Sequence, residues 1–162
     1  MKQLLILSDS HGCYPMVKKA VQTEPQVDGI VFLGDGAKDM ERLKNEGFSL
    51  PIYAVRGNCD MMTDYPVERM EQFGGQTVLL CHGHRYGVKY NYSDFVQAVK
   101  EKGANIGLFG HTHLPTLEQY GTVTLFNPGS IGSPRFGAPS YGLLYLNEDG
   151  TVQFEHKEIT AW

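Results

Sequence analysis

Cysteine is scarce and odd in number: Cys13, Cys59 and Cys81 are the only three in 162 residues, and no two stand at C-x-x-C spacing. That excludes a disulfide framework or a thiolate-rich zinc site, and the thiols read as reduced. Lysine and arginine form no run and the formal net charge is −4, so the chain lacks the basic footprint of a dedicated nucleic-acid surface. No stretch approaches the roughly 18 apolar residues of a membrane span, so no membrane partner is expected. The apolar run Leu4 to Leu7 is too short for a secretory core and leads straight into Ser8 and Asp9, which makes the cytoplasm the expected compartment. Repeats, low-complexity segments and linkers are also missing. With 41% hydrophobic and 20% charged residues, the chain suits one globular domain over residues 1–162. An acidic chain that acts on a small anion must take its positive charge from something other than side chains.

Apolar and amphipathic segments alternate along the first third. Gln3 to Leu7 reads as a buried strand, and Tyr14 to Thr23 places Val17, Ala20 and Val21 at helical spacing. Gly29 to Leu33 is a second strand, Ala37 to Glu46 a charged helix that Gly47 can end, and Pro51 to Val55 a third strand. This β-α-β-α-β order predicts parallel pairing with right-handed crossovers. Further on, Thr77 to Leu80 and Ile106 to Phe109 read as strands on either side of a helix that Ser93 caps and Gly103 closes. The last third predicts only strands and turns: Thr116 to Gln119, Thr122 to Phe126, Tyr141 to Leu146 and Val152 to Lys157, with Gly121 and "NEDG" at hairpin positions. The expected class is α/β, with two sheets packed face to face and helices outside.

In open α/β sheets, ligands bind beyond the carboxyl ends of strands. Five predicted strands end in "SDSHG", "GDG", "RGNCD", "CHGH" and "GHTH", which deliver Asp9, His11, Asp35, Asn58, His82, His111 and His113. Each alone has a plainer reading: an Asx turn, a helix N-cap, a satisfied core histidine. Together, at matching places, clustered Asp and His mark a metal or catalytic site. Seven oxygen and nitrogen donors exceed the four of one zinc ion and fit two ions about 3.5–4 Å apart. Asp35 is the natural bridge between them, and Asn58 offers a neutral oxygen that keeps the site positive enough for a phosphate.

The ordered series "SDSHG", "GD", "RGNCD", "HGH", "GHTHLP" and "NPGS", over about residues 5 to 137, resembles the calcineurin-like metallophosphoesterases, specifically the small bacterial and archaeal YfcE-type phosphodiesterases. The resemblance implies a four-layer αββα sandwich of two mixed β-sheets, and a dinuclear centre with two divalent ions, manganese first, although Fe, Co, Ni or Zn suit the same donors. It places one ion on Asp9, His11, Asp35 and His113 and the other on Asp35, Asn58, His82 and His111. It implies hydrolysis of a small phosphodiester by in-line attack of a metal-bridging water or hydroxide, with Asp35 and Asn58 in the catalytic apparatus. A phosphomonoesterase with the same metals remains an alternative. So does a non-catalytic scaffold like the retromer subunit of this fold, which has lost a histidine ligand whereas all seven positions are filled here.

Many members of the wider superfamily have histidine where this chain has Cys59, and that histidine is taken to steady the phosphate or protonate the leaving group. A thiol cannot offer a cationic hydrogen bond. Asp60 reads as a residue supporting the ligands or a turn, and His84 as a proton donor or a loop-orienting side chain. Arg135 in "NPGSIGSPR" reads as a phosphate contact or a surface residue, and the small residues there let backbone approach the site. Tyr86, Tyr90 and Tyr92 suit a cleft wall or core packing, and His156 a surface position. Met61 and Met62 suggest a loop packed on a neighbour, which with the resemblance points to a homo-oligomer.

Overall fold

Successive side chains of a strand face opposite ways, so an unbroken apolar run needs cover on both faces. Leu4 to Leu7 obtain it in the computed structural model, which describes residues 2–160. Leu5 and Leu7 pack with Val17, Ala20, Met40 and Leu43 on one side, and Leu4 and Ile6 pack with Val78, Leu80, Ile106 and Leu108 on the other. The first sheet has the order β10-β9-β1-β2-β3, from β10 (Val152–Glu158), β9 (Ser140–Leu146), β1 (Lys2–Leu7), β2 (Gly29–Phe32) and β3 (Ile52–Ala54). The second has the order β4-β5-β6-β8-β7, from β4 (Glu68–Phe73), β5 (Gln76–Cys81), β6 (Ile106–Leu108), β8 (Val123–Pro128) and β7 (Pro115–Tyr120). Helices α1 (Tyr14–Thr23) and α2 (Ala37–Asn45) cover the outside of the first sheet, and α3 (Ser93–Glu101) seats Phe95 and Val99 on Leu79 and Leu125 of the second. The result is the expected four-layer sandwich.

Both sheets are mixed. β1, β2 and β3 pair in parallel while β9 runs antiparallel to β1. In the other sheet β5, β6 and β8 are parallel, with antiparallel β4 and β7 at the edges. The parallel strands therefore send their carboxyl ends to shared rims. Among the described residues no helix is long and apolar enough to cross a membrane.

Three expectations change. β4 is an additional strand: "ERMEQF" lacks a clean apolar alternation and is held by its ladder to β5, from Glu68↔Cys81 to Phe73↔Gln76. Ser93 is the first helical residue of α3 rather than its cap: Tyr92 holds the cap position with no side-chain bond, and the Ser93 N–H donates to Asn91 Oδ1 at 3.0 Å. His156 is half-buried rather than on open surface, stacked on Phe126 with ring centroids 4.5 Å apart and donating from Nε2 to the Asn127 carbonyl at 2.7 Å.

Glu24 ends α1 as a buried carboxylate that accepts from Tyr141 Oη and Lys157 Nζ, both at 2.8 Å, and from Gln26 Nε2 at 2.8 Å. Burial alone would raise its pKa, but the hydrogen bonds from Lys157, Gln26 and Tyr141 outweigh that and hold it below its ordinary 4.5. A depressed folded-state pKa contributes stability that is present above the unfolded value and lost as pH falls through the folded one. Glu24→Gln is expected to cost about 1–3 kcal/mol at pH 7. The deficit should begin to shrink once the pH drops below about 4.5, where the unfolded carboxylate takes up its proton, and go on shrinking until the folded carboxylate is protonated at lower pH. Urea melts at pH 7 and pH 4 check this; an equal deficit at both would contradict it.

Candidate metal centre

The carboxyl ends of β1, β2 and β3 meet those of β5 and β6 along one rim. There Asp9, from the turn after β1, lies fully buried against His82, which follows β5, and His113, which follows β6. His113 Nε2 is 3.2 Å, His11 Nε2 3.5 Å and His82 Nε2 3.7 Å from Asp9 Oδ1. Asp35 Oδ2 stands 3.2 Å from His82 Nε2 and 3.7 Å from His11 Nε2. His111 Nδ1 approaches His82 Nε2 to 3.2 Å, and His11 Nε2 approaches His113 Nε2 to 3.3 Å. Donor atoms thus gather within 4.8 Å of one another in two sets, Asp9–His11–His113 and Asp35–His82–His111. His11, Asp35 and Cys59 form a third set at the same spacing.

Backbone conformation aims these groups. Among the described residues, the non-glycine positions with positive φ are Asp9, His11, Asp35, His111 and His113, at φ 46° to 73°. L-residues rarely enter that region, and such conformations persist where surrounding structure over-determines them, commonly at functional sites. The restraint here is visible. Asp60 accepts from the backbone N–H groups of Asp35 (2.7 Å), Gly36, Ala37 and Gly57 (each 2.9 Å), tying the β3 loop to the start of α2. A Cβ on Gly57 would land on Asp35 Oδ1, and one on Gly132 would land on the Ser10 carbonyl, so only glycine allows these loops to close on the site. Ser130 Oγ donates to the Asp9 carbonyl at 2.7 Å, while Asn127 Nδ2 donates to the Gly110 carbonyl and to Thr112 Oγ1. Ser8 Oγ and the His111 N–H both donate to Asp9 Oδ2.

The hydrogen bonds also fix which imidazole nitrogen is turned to the carboxylates. His82 Nδ1 lies 2.7 Å from the Leu33 carbonyl and His113 Nδ1 2.5 Å from the Ser133 carbonyl, so both Nδ1 atoms hold a proton and donate. Their Nε2 atoms face Asp35 Oδ2 and Asp9 Oδ1, each at 3.2 Å. A positive charge between these groups, a proton on Nε2 or a metal ion in its place, satisfies both sides. The groups fit divalent ions: the donors are carboxylate oxygen and imidazole nitrogen, gathered within 4.8 Å of one another in each set.

Electrostatics agree. Burial pushes the Asp9 carboxyl up, but hydrogen bonding to His11 and His113 and the charge of His82 hold it well below the usual carboxylate range. Burial likewise raises Asp35, and His82 together with the Cys59 N–H outweighs it and lowers it. His11 is raised by its bond to Asp9; His82 is raised by Asp35 and Asp9 against the opposing effect of burial. The two carboxylates therefore attract positive charge, as protons on imidazole or as metal. His111 is pushed down to about 4 by burial and the charges of His82 and Lys89, which keeps its ring neutral.

The other residues singled out from sequence have definite places. Asn58 is exposed in the β3 loop, its side-chain amide donating to Cys59 Sγ at 3.6 Å. Cys59 is exposed; its N–H donates to Asp35 Oδ1 at 2.8 Å, and burial followed by the charge of Asp35 raises its thiol, which stays protonated. His84 begins a short 3₁₀ turn with its ring 5.5 Å from that of His82, and burial with the His82 charge lowers its pKa. Arg135 is exposed on the loop after β8, its backbone N–H reaching the His113 carbonyl. Tyr86 and Tyr92 pack on Phe95 and Phe109, whereas Tyr90 is exposed. Asp39, read from sequence only as part of a charged helix, is buried and accepts from Ser10 Oγ and the Gly12 N–H. Asn127 and Ser130, likewise buried, were signalled only by the small-residue run that contains them.

A model of the calcineurin-like phosphoesterase superfamily domain matches residues 1–149. The probable metallophosphoesterase YsnB of Bacillus subtilis is 34% identical, over 93% of this chain and 89% of YsnB. The phosphodiesterase YfcE of Escherichia coli K12 is 32% identical, over 99% of this chain and 97% of YfcE. A solved variant of Vps29 from Entamoeba histolytica superposes with a TM-score of 0.77 over 98% of this chain and 99% of that one; at 20% identity the likeness speaks for fold alone.

Proposed function

The chain belongs to the calcineurin-like phosphoesterase superfamily, and from that premise we propose that it is a dinuclear metal-dependent phosphodiesterase acting on a small phosphodiester in the cytoplasm, with manganese as its metal. The observation that supports this most is the gathering of the Asp9, His11 and His113 donors, and of the Asp35, His82 and His111 donors, each within 4.8 Å of one another, with Nε2 of His82 and His113 turned to the carboxylates. In this reading Asp9, His11, Asp35 and His113 hold one ion, and Asp35, Asn58, His82 and His111 the other. Such ions, when bound, act as Lewis acids that lower the pKa of water and neutralise charge on phosphoryl oxygens. Two carboxylates against two divalent ions leave net positive charge, which is how a chain of net charge −4 attracts an anion. The Leu33 and Ser133 carbonyls engage Nδ1 of His82 and His113, which leaves Nε2 as the nitrogen that would meet an ion.

Cys59 favours a diester. A monoester brings a second negative charge, and a protonated thiol supplies no cation to meet it. The thiol is also a weak proton donor, so good leaving groups should react preferentially. Cys59→His is expected to raise turnover of diesters with poor leaving groups about tenfold or more, with little gain for p-nitrophenyl esters. Unchanged rates for both would show that proton donation at position 59 does not limit the reaction.

The test of the reading is hydrolysis of bis(p-nitrophenyl) phosphate beside p-nitrophenyl phosphate by metal-stripped, manganese-reconstituted protein, with Asn58→Ala as control. Faster, manganese-dependent cleavage of the diester, lost in the control, is expected. Turnover of neither with two ions bound would refute the proposal and favour a non-catalytic scaffold role, since fold alone does not fix function.

A further inference from the structure

A cleft of about 350 Å³ opens from His11, Asp35 and Cys59 and continues along Met61 and Met62. Pockets for small organic ligands begin near this size, so it has room for a group beyond the phosphate itself. Met61 is 80% exposed and Met62 90% exposed, an apolar pair standing immediately after Asp60. Asp60 is held by four backbone N–H groups, so the methionines leave a fixed point of the loop beside the catalytic residues. Methionine is unbranched and polarisable, and it covers flat apolar groups of varied shape, aromatic rings included.

The charges lining the cleft are arranged to suit an anionic ester. Asp39 and Asp60 both border it, but their carboxylates are occupied by internal donors: Ser10 and Gly12 for the first, the four N–H groups for the second. Lys38, also on the wall, is exposed and makes no hydrogen bond or ion pair among the described residues. The wall therefore offers one uncommitted positive charge and an apolar pair.

We propose that this cleft is the subsite for one ester group of the substrate, with Met61 and Met62 as its apolar wall, selecting phosphodiesters that carry an aromatic or similarly flat apolar substituent. The proposal rests on the phosphodiesterase reading and names the substrate class for it. The experiment compares kcat/KM for phenyl p-nitrophenyl phosphate and methyl p-nitrophenyl phosphate, which differ only in the second ester group, in the manganese-loaded wild type and in Met61→Ser/Met62→Ser. Calorimetric binding of diphenyl and dimethyl phosphate gives a readout apart from turnover. The wild type is expected to favour the phenyl ester about tenfold, and the variant to fall to about twofold or less, with its metal content unchanged. Both sites of substitution are exposed, so the fold is not at stake.

Turnover of both esters with no phenyl preference, or a preference that survives in the variant, overturns the subsite and leaves the phosphodiesterase reading intact. Turnover of neither ester by fully metallated wild type overturns both. A variant that changes oligomeric state in sedimentation while keeping its preference assigns the methionine wall to a second copy of the chain, and overturns the proposal.

Discussion

Asp35→Asn is expected to lower manganese-dependent diester hydrolysis by about a thousandfold or more while leaving the protein folded. Asparagine tolerates the left-handed backbone that Asp35 occupies at φ 62°, better than alanine would, so the loop keeps its path. What changes is the charge. Asp35 Oδ2 faces the Nε2 atoms of His82 and His11, and Oδ1 accepts from the Cys59 N–H. A carboxamide can keep that last bond through its oxygen, but it then turns an NH₂ toward the histidines and cannot give an anionic oxygen to each of two ions. The loss should appear in kcat/KM and in metal content together. A variant with normal metal content and activity within a few-fold of wild type would remove Asp35 from the site.

Asp60→Ala should destabilise the protein by about 2–4 kcal/mol, because it removes a charged acceptor from several backbone donors at once. The corresponding fall in melting temperature is roughly 5–15 °C. Those donors include the N–H of Asp35 itself and the first N–H groups of α2, so metal affinity should drop as well, although Asp60 stands among none of the proposed ligands. Asp60→Asn recovers little, since its NH₂ must oppose N–H groups where a second oxygen now accepts. Differential scanning calorimetry with and without manganese separates the two effects. Unaltered melting in both conditions would mean that the loop is held by other contacts.

The proposed ligands could be named from sequence because each lies within a few residues of a strand end, where local pattern is informative. Tyr14–Thr23 and the β1 apolar run were legible for the same reason: the 3.6-residue and two-residue periods are local. β4 was not, because its strand character comes from pairing with β5 rather than from alternation within "ERMEQF". The cap of α3 at Tyr92 in place of Ser93 is a shift of one residue that the local sequence "NYS" does not decide. Asp60 illustrates the larger gap. Its residue type and loop position suggested support for the ligands, yet its four backbone partners lie in two segments 3 to 25 residues away. Likewise the positive φ of Asp9, His11, Asp35, His111 and His113 follows from loops closing on each other, and no propensity announces it. His156 seemed a surface residue because its partners, Phe126 and the Asn127 carbonyl, belong to a different sheet.

The central claim, two ions held by seven side chains, is tested most directly by metal stoichiometry. Protein stripped of metal, saturated with manganese and freed of excess ion would be analysed by inductively coupled plasma mass spectrometry, beside His82→Ala and the half-exposed His111→Ala. About two ions per chain in the wild type and about one in either variant are the predicted result. One ion or fewer in the wild type, or full retention in both variants, would contradict the assignment.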